Sequence, residues 1–441
     1  MRSCGRRRAG APSRSWRAHG IQPDTGRRGR ARDPRDARPR GERVSAPSWL
    51  EIDLDRLTGN VASIRALLGA PDRPRDGLRV GSGPALIAAT IKADAYGIGI
   101  EPIARHLAPL VDWFAVYSPD QAIALAPLTR AVAILVYMPV ETEGIPVALE
   151  AARVCGKRIH FTIHDRSDVG VFADIARRIG ASVNVHVYLD TGMNRAGIRA
   201  EDLAPVIADV RASGSLRLLG VYTHFSSAET DGPITLEQAR RFDEAVGPHV
   251  PDLAPDGHIH IANSAGLLRD GGLQRDLVRP GLLLWGYAID AMADGSLLSR
   301  DSVLPILRWR SRIVHTRTVA AGSSVGYAGT ERLARDSVLG IVPVGYGDGY
   351  PLALSGRAVV TFVNRPTLAA RVLGRVNMDQ LIVDLTGTGV ARGDLVEIYS
   401  ADVDAPNSLP RLADLAAAHC YELLCRLTPR IERRIVTFAD Q

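Results

Sequence analysis

Of the 54 lysine and arginine residues in this chain, only two are lysine, Lys92 and Lys157. Arginine carries charge and hydrogen bonds as well as lysine does, but it stays protonated and cannot condense with an aldehyde to form an imine. A lysine kept in so arginine-rich a chain is therefore a candidate for amine chemistry. Lys92 sits in Ile91-Lys92-Ala93-Asp94-Ala95-Tyr96-Gly97, directly after an apolar run, whereas Lys157 sits in Cys155-Gly156-Lys157-Arg158 and reads as a solvated loop residue. Further polar groups recur at the ends of apolar runs: Asp190-Thr191-Gly192-Met193-Asn194-Arg195, Thr223-His224-Phe225, Asn263-Ser264 and Arg279-Pro280-Gly281. Taken singly, each has a structural reading. His224 could be a core histidine, Arg195 could clamp Asp190, Ser264 could cap a helix and Gly281 could only permit close packing.

The elements that would position these groups follow from periodicity. Asp55 precedes a helical pattern of Leu57, Val61, Ile64 and Leu68. Apolar or β-branched runs then fall at 85–91, 112–117, 132–138, 158–163, 182–189, 217–223, 257–262 and 276–286, separated by helical stretches. Near-continuous apolar runs suit strands buried on both faces. Eight alternations of strand and helix predict an α/β fold, a parallel (β/α)₈ TIM-type barrel, in which active residues gather at the C-terminal strand ends. The polar groups above fall there. After about Ala291 the texture changes to short runs with Gly-containing turns (Ile313 to Val319, Val338 to Val344, Ala358 to Val363, Leu395 to Tyr399), which predicts a mainly β C-terminal domain closed by a helix near Leu409 to Leu427.

Composition limits the alternatives. The length suits two domains, each with its own core. Residues 1–44 hold 14 Arg against four acids, so a basic tail precedes a mildly acidic body. The tail lacks apolar periodicity and reads as a disordered extension over 1–46, followed by a barrel over 47–290 and the β domain over 291–441. It has no aromatic–basic interleaving to suggest a nucleic-acid partner, and no apolar core of a secretory signal. No apolar run is long enough to span a membrane. Cys4, Cys155, Cys420 and Cys425 show no metal-type spacing, so no metal site is expected, and they read as reduced thiols in a cytoplasm.

Taken together the segments resemble alanine racemase, from Trp49 to about Arg430. The barrel motifs quoted above are joined by Val325-Gly326-Tyr327, Val344-Gly345-Tyr346-Gly347-Asp348-Gly349 and Gly374-Arg375-Val376-Asn377-Met378-Asp379-Gln380, in order. The resemblance implies a homodimeric isomerase that uses pyridoxal 5'-phosphate to interconvert L- and D-alanine and supplies D-alanine for peptidoglycan. Lys92 would hold the cofactor as an imine and serve as the base on one face of Cα. Tyr327 from the other subunit would serve on the opposite face, tuned by His224. Arg279 would face the pyridine nitrogen, and Arg195 the cofactor's phenolic oxygen and the substrate carboxylate. Tyr96, Asn263, Ser264 and the Gly281 N–H would hold the cofactor; Tyr346, Met378 and Asp379 would line the substrate side. A broader or shifted racemase, for example of serine, is the rival reading.

The chain departs from the family pattern at four places. Tyr96-Gly97 is followed by Ile98 where a histidine is usual. Tyr188 stands where many members carry a carbamylated lysine. Asn377 replaces a frequent cysteine, and Pro429 falls where some relatives place a pocket tyrosine.

Overall fold

The computed structural model describes residues 47–69, 77–129, 132–287 and 296–438. The extension at 1–46 and the boundary at 290/291 lie outside the described residues. The first strand, β1 (Ser48–Ile52), leads into the helix Leu54–Gly69, whose Leu57, Val61, Ile64, Leu67 and Leu68 are buried. Eight barrel strands follow: β2 (Leu86–Thr90), β3 (Trp113–Val116), β4 (Ala133–Val136), β5 (Ile159–Ile163), β6 (Val183–Tyr188), β7 (Leu216–Tyr222), β8 (His258–His260) and β9 (Leu277–Val278). They pair in parallel in sequence order, and β2 takes β9 on its free side. Between β8 and β9 the ring is joined by Asp276 N–H to the Ile259 carbonyl, 2.9 Å, and Arg279 N–H to the Ala262 carbonyl, 3.0 Å. The result is a nearly closed barrel with a helix after most strands, as the eight apolar runs predict.

Every barrel strand alternates between two cores. Outward side chains such as Ile159, Phe161 and Ile163 join one continuous apolar cluster with the helices. Inside, Ala88, Trp113, Ala115, Leu135 and Leu277 form a separate small cluster on β2, β3, β4 and β9. The other half of the interior is polar and aromatic. His160, Thr162, His186, Tyr188, Tyr222 and His260 are all buried there.

The second half of the chain is mainly β. Its strands are β10 (Leu307–Arg312), β11 (His315–Val319), β12 (Ser324–Val325), β13 (Glu331–Arg332), β14 (Ser337–Val342), β15 (Val359–Phe362), β16 (Arg365–Arg371), β17 (Leu381–Asp384), β18 (Leu395–Tyr399) and β19 (Glu432–Ile435). Six strands form a mixed sheet in the order β16-β15-β18-β10-β1-β19, three form β11-β14-β17, and β12 pairs with β13. Tyr327 lies in the turn of that last hairpin.

Three elements differ from the sequence expectation. The run 276–286 holds a strand of only two residues, because Pro280 has no N–H to donate and Leu282–Trp285 coil into a buried 3₁₀ turn. The strand Ser48–Ile52, grouped with the barrel by a boundary at 47, pairs instead with β10 and β19. The helix expected over Leu409 to Leu427 is two helices, Leu409–Ala416 and Cys420–Cys425, broken where Ala417 adopts φ 50°.

Local backbone geometry is most unusual after β2. Ala93, Asp94, Ala95 and Tyr96 hold φ of 53, 56, 53 and 58°, a left-handed turn without a glycine, and Gly97 follows at 79°. A Cβ on Gly97 would lie 2.4 Å from the Leu424 carbonyl oxygen. Gly97→Ala is therefore expected to destabilise the fold by about 2 kcal/mol or more, from the left-handed φ plus the overlap. Denaturant unfolding of the variant measures this, and an unchanged midpoint would mean that Leu424 moves aside freely.

Candidate active site

Lys92 leaves the C-terminal end of β2 and opens the left-handed turn. Asp94 helps to hold that turn by accepting the Ile100 N–H through Oδ1 at 2.7 Å. Arg433, next to β1 in the C-terminal sheet, donates through Nη2 to the Gly97 carbonyl at 2.7 Å. Burial and the Arg195 charge push the Lys92 amine below the usual lysine range, with Cys425 opposing. A lowered pKa enlarges the neutral, nucleophilic fraction of the amine.

Tyr96 closes the left-handed turn at φ 58° and is buried. Its ring lies edge-on to Trp285, at 5.9 Å, and against Tyr421, at 5.6 Å. Ser264 is 4 % exposed, and its Oγ accepts the N–H groups of Gly281 (2.9 Å) and Leu283 (3.3 Å). A Cβ on Gly281 would sit 2.4 Å from the Tyr96 hydroxyl, so only glycine lets these groups converge. Tyr96, Ser264 and Gly281 thus form a cradle of two hydroxyls and an amide, whose N–H is held by Ser264 Oγ in this structure. Asn263 plays a different part: its Oδ1 accepts the Gly266 N–H at 2.9 Å and caps the Ser264–Arg269 helix. The cap expected of Ser264 falls to its neighbour.

Arg279 is 3 % exposed, and its guanidinium is hydrogen-bonded on several sides, to the Tyr137 side chain among others. Nη1 donates to Nδ1 and to the carbonyl of His260, each at 2.9 Å, and Nη2 to the carbonyls of Thr223 (2.7 Å) and Ile261 (3.3 Å). The guanidinium also lies 5.2 Å from the Tyr222 ring centre. Tyr137 reaches the same region, where burial pushes its phenol up and Arg279 opposes.

His224, after β7, is driven down to about 3 by burial and by the charges of Arg279, Arg195 and Lys92. It is a neutral imidazole throughout the physiological range. Arg195 follows a loop tied by Asp190, whose carboxylate accepts the N–H groups of Gly192, Met193 and Asn194. The clamp within this loop is thus Asp190 to backbone. The Tyr188 side chain is buried, and burial raises its phenol while the charge of Arg195 and a hydrogen bond with it oppose. Tyr188 stacks on Tyr222 at 4.8 Å and meets His164 edge-on at 5.5 Å.

The β-domain candidates are not part of this cluster. Tyr327 is 70 % exposed, Met378 53 % and Tyr346 42 %. Asp379 is exposed and pairs with Arg430 at 2.6 Å. Sequence reasoning missed Tyr421, Tyr137 and His260 as neighbours of the site. Tyr421 lies among apolar neighbours in Tyr421-Glu422-Leu423-Leu424-Cys425, and its contact with Tyr96 spans more than 300 residues of chain.

A barrel that presents one depressed lysine amine beside a hydroxyl–amide cradle and a fixed buried arginine belongs to the class that carries pyridoxal phosphate. The cradle fits the phosphate, Lys92 the aldehyde carbon, and the buried Arg279 guanidinium a ring nitrogen. Residues 52–289 match the alanine racemase N-terminal domain, and residues 306–435 the alanine racemase C-terminal domain. The chain belongs to the alanine racemase family; it is a pyridoxal-phosphate-dependent racemase. Alanine racemase of Francisella tularensis is 33 % identical over 390 residues, covering 88 % of this chain and 99 % of that one. Among solved structures, alanine racemase of Streptomyces lavendulae superposes with a TM-score of 0.78 at 26 % identity, covering 89 % of this chain and 98 % of that one. The biosynthetic enzyme of Pseudomonas aeruginosa gives 0.72 at 28 %, covering 89 % and 99 %.

Gly281→Ala should weaken cofactor binding roughly tenfold or more, as expected when a group is displaced by about an ångström. Titration of the apoprotein by absorbance measures it; an unaltered affinity would remove Gly281 from the cradle.

Proposed function

We propose that the chain interconverts L- and D-alanine as a homodimer, with Lys92 Nζ on one face of Cα and Oη of the partner subunit's Tyr327 on the other. Two groups are needed because a single fixed base returns its proton to the face it came from. When bound, pyridoxal phosphate supplies the electron sink that makes the Cα proton removable. Lys92, held below the lysine range, takes or gives a proton at Nζ. His224, neutral and with lone pair available, accepts a hydrogen bond from the phenol of Tyr327 and draws it towards the phenolate. Arg195 holds the substrate carboxylate. Tyr96, Ser264 and the Gly281 N–H bind the phosphate, with Asn263 supporting them as the cap of the adjoining helix. Tyr346 and Met378, exposed on one chain, narrow the partner's pocket to a small side chain, beside Asp379.

The observation that carries this reading is Arg279. Buried and bonded to His260, Thr223 and Ile261, it keeps its own protons and gives none to the nitrogen it faces. A weak sink favours prompt return of the Cα proton over transamination, which fits a racemase. The exposure of Tyr327, Tyr346 and Met378 supports a site completed by a second subunit, with the β domain that follows the barrel as the donating part. No described helix is long and apolar enough to cross a membrane. The same reading makes the enzyme a cytoplasmic supplier of D-alanine for peptidoglycan.

Mixing two inactive variants tests the shared site. Lys92→Arg and Tyr327→Phe should each lose about 10²–10⁴-fold or more in activity. Unfolded and refolded together at equal amounts, they should recover about a quarter of wild-type activity, since half the dimers then hold one intact site. No recovery would place Lys92 and Tyr327 of the same chain in one site.

A further inference from the structure

Barrel interiors are usually filled by branched aliphatic side chains, yet the half lined by β5 to β8 holds three buried imidazoles in line. His260 Nε2 lies 2.9 Å from His186 Nδ1, and His186 Nε2 lies 3.3 Å from His160 Nδ1. His186 and His260 are fully buried, and His160 is 5 % exposed. Trp113 packs on one outer member and on the central one, its ring 4.3 Å from His160 and 5.7 Å from His186. Two backbone features make room for the central ring. A Cβ on Gly220 would lie 2.3 Å from His186 Nδ1, and the β6–β7 register slips between Val185 and His186. The chain of imidazoles is thus built into the sheet.

Its direction follows from donor and acceptor counts. Burial, and the neighbouring charges, depress all three, His160 to about 3 and the other two well below their usual value, so each ring is neutral with one N–H and one lone pair. Arg279 Nη1 can only donate, so His260 must accept at Nδ1 and carry its hydrogen on Nε2. His186 must then accept at Nδ1 and donate from Nε2, and His160 must accept at Nδ1. Reversing any one ring would set N–H against N–H.

We infer that His186 and His160 are positioning residues for Arg279: by fixing the tautomer of His260, they hold the guanidinium in place at the barrel mouth. This inference rests on the racemase reading for its consequence, though its geometry does not depend on that reading. Without an acceptor at His186, the Nε2–H of His260 is left buried and unpaired. His260 then gains by turning over, and Arg279 loses its partner.

Solid-state nitrogen NMR of the holoenzyme labelled with ¹⁵N-histidine tests this, with signals assigned by single substitutions. His160, His186 and His260 should each appear as the neutral Nε2–H tautomer; an Nδ1–H tautomer or an imidazolium at any of them would overturn the inference. Two variants test the consequence. His186→Leu removes both hydrogen bonds, whereas His186→Gln keeps an acceptor and a donor. His186→Leu should lower kcat roughly tenfold to hundredfold, as displacement of a remote support does, with KM changed less than about twofold. His186→Gln should recover most of kcat and the wild-type His260 signal. Equal behaviour of the two variants would overturn the inference. Failure of the wild type to racemise alanine would sink the functional reading instead, and the nitrogen signals would still decide the direction of the chain.

Discussion

The structure depends first on a constraint in the backbone: the left-handed turn that follows Lys92. Left-handed φ costs an ordinary residue about 1–2 kcal/mol, and four consecutive non-glycine residues adopt it here. Such a turn persists only if its surroundings over-determine it. Those surroundings come mostly from the far end of the chain. The Leu424 carbonyl closes on Gly97, and Arg433 ties the Gly97 carbonyl to those of Thr428 and Ile431. The C-terminal segment therefore fixes the turn that carries both Lys92 and Tyr96, and Tyr421 packs on the Tyr96 ring. The same dependence appears in the sheet, where β1 from the start of the chain lies between β10 and β19.

A second feature is the unequal filling of the barrel. The half lined by Ala88, Trp113, Ala115, Leu135 and Leu277 is an ordinary apolar plug. The other half trades that packing for rings and hydroxyls that lead to Arg279. Tyr188, Tyr222 and His260 stack in succession, at 4.8 and 4.7 Å. Buried polar groups are tolerable only when their hydrogen bonds are met, and Arg279 meets its own among His260, Thr223, Ile261 and Tyr137. Its rigidity comes from that accounting, since each carbonyl it uses belongs to a strand end that the barrel already fixes.

Much of this was legible in the sequence, because it depends on local pattern. Eight apolar runs mark eight strands, and polar residues at their ends mark the mouth. A nearly lysine-free chain points to Lys92. What could not be read depends on tertiary context. Nothing in Lys92-Ala93-Asp94-Ala95-Tyr96 announces a left-handed turn, since alanine-rich segments favour the right-handed helix. Ala417 breaks a helix without a glycine or proline to signal it. Asn263 and Ser264 are both good capping residues, and only the position of Gly281 decides which of them caps and which faces the site. The apolar stretch after Leu277 looks like a strand because the 3₁₀ turn that replaces it is just as buried.

The central claim is that two groups on opposite faces of Cα move its proton. Incubating the holoenzyme with L-alanine in D₂O, while following optical activity and Cα deuterium in each enantiomer, tests it most directly. Loss of optical activity, with solvent deuterium entering D-alanine from the first turnovers and later both enantiomers, is the predicted result. Deuterium entering L-alanine while optical activity persists would contradict it, because Lys92 would then be exchanging the proton with no effective group opposite.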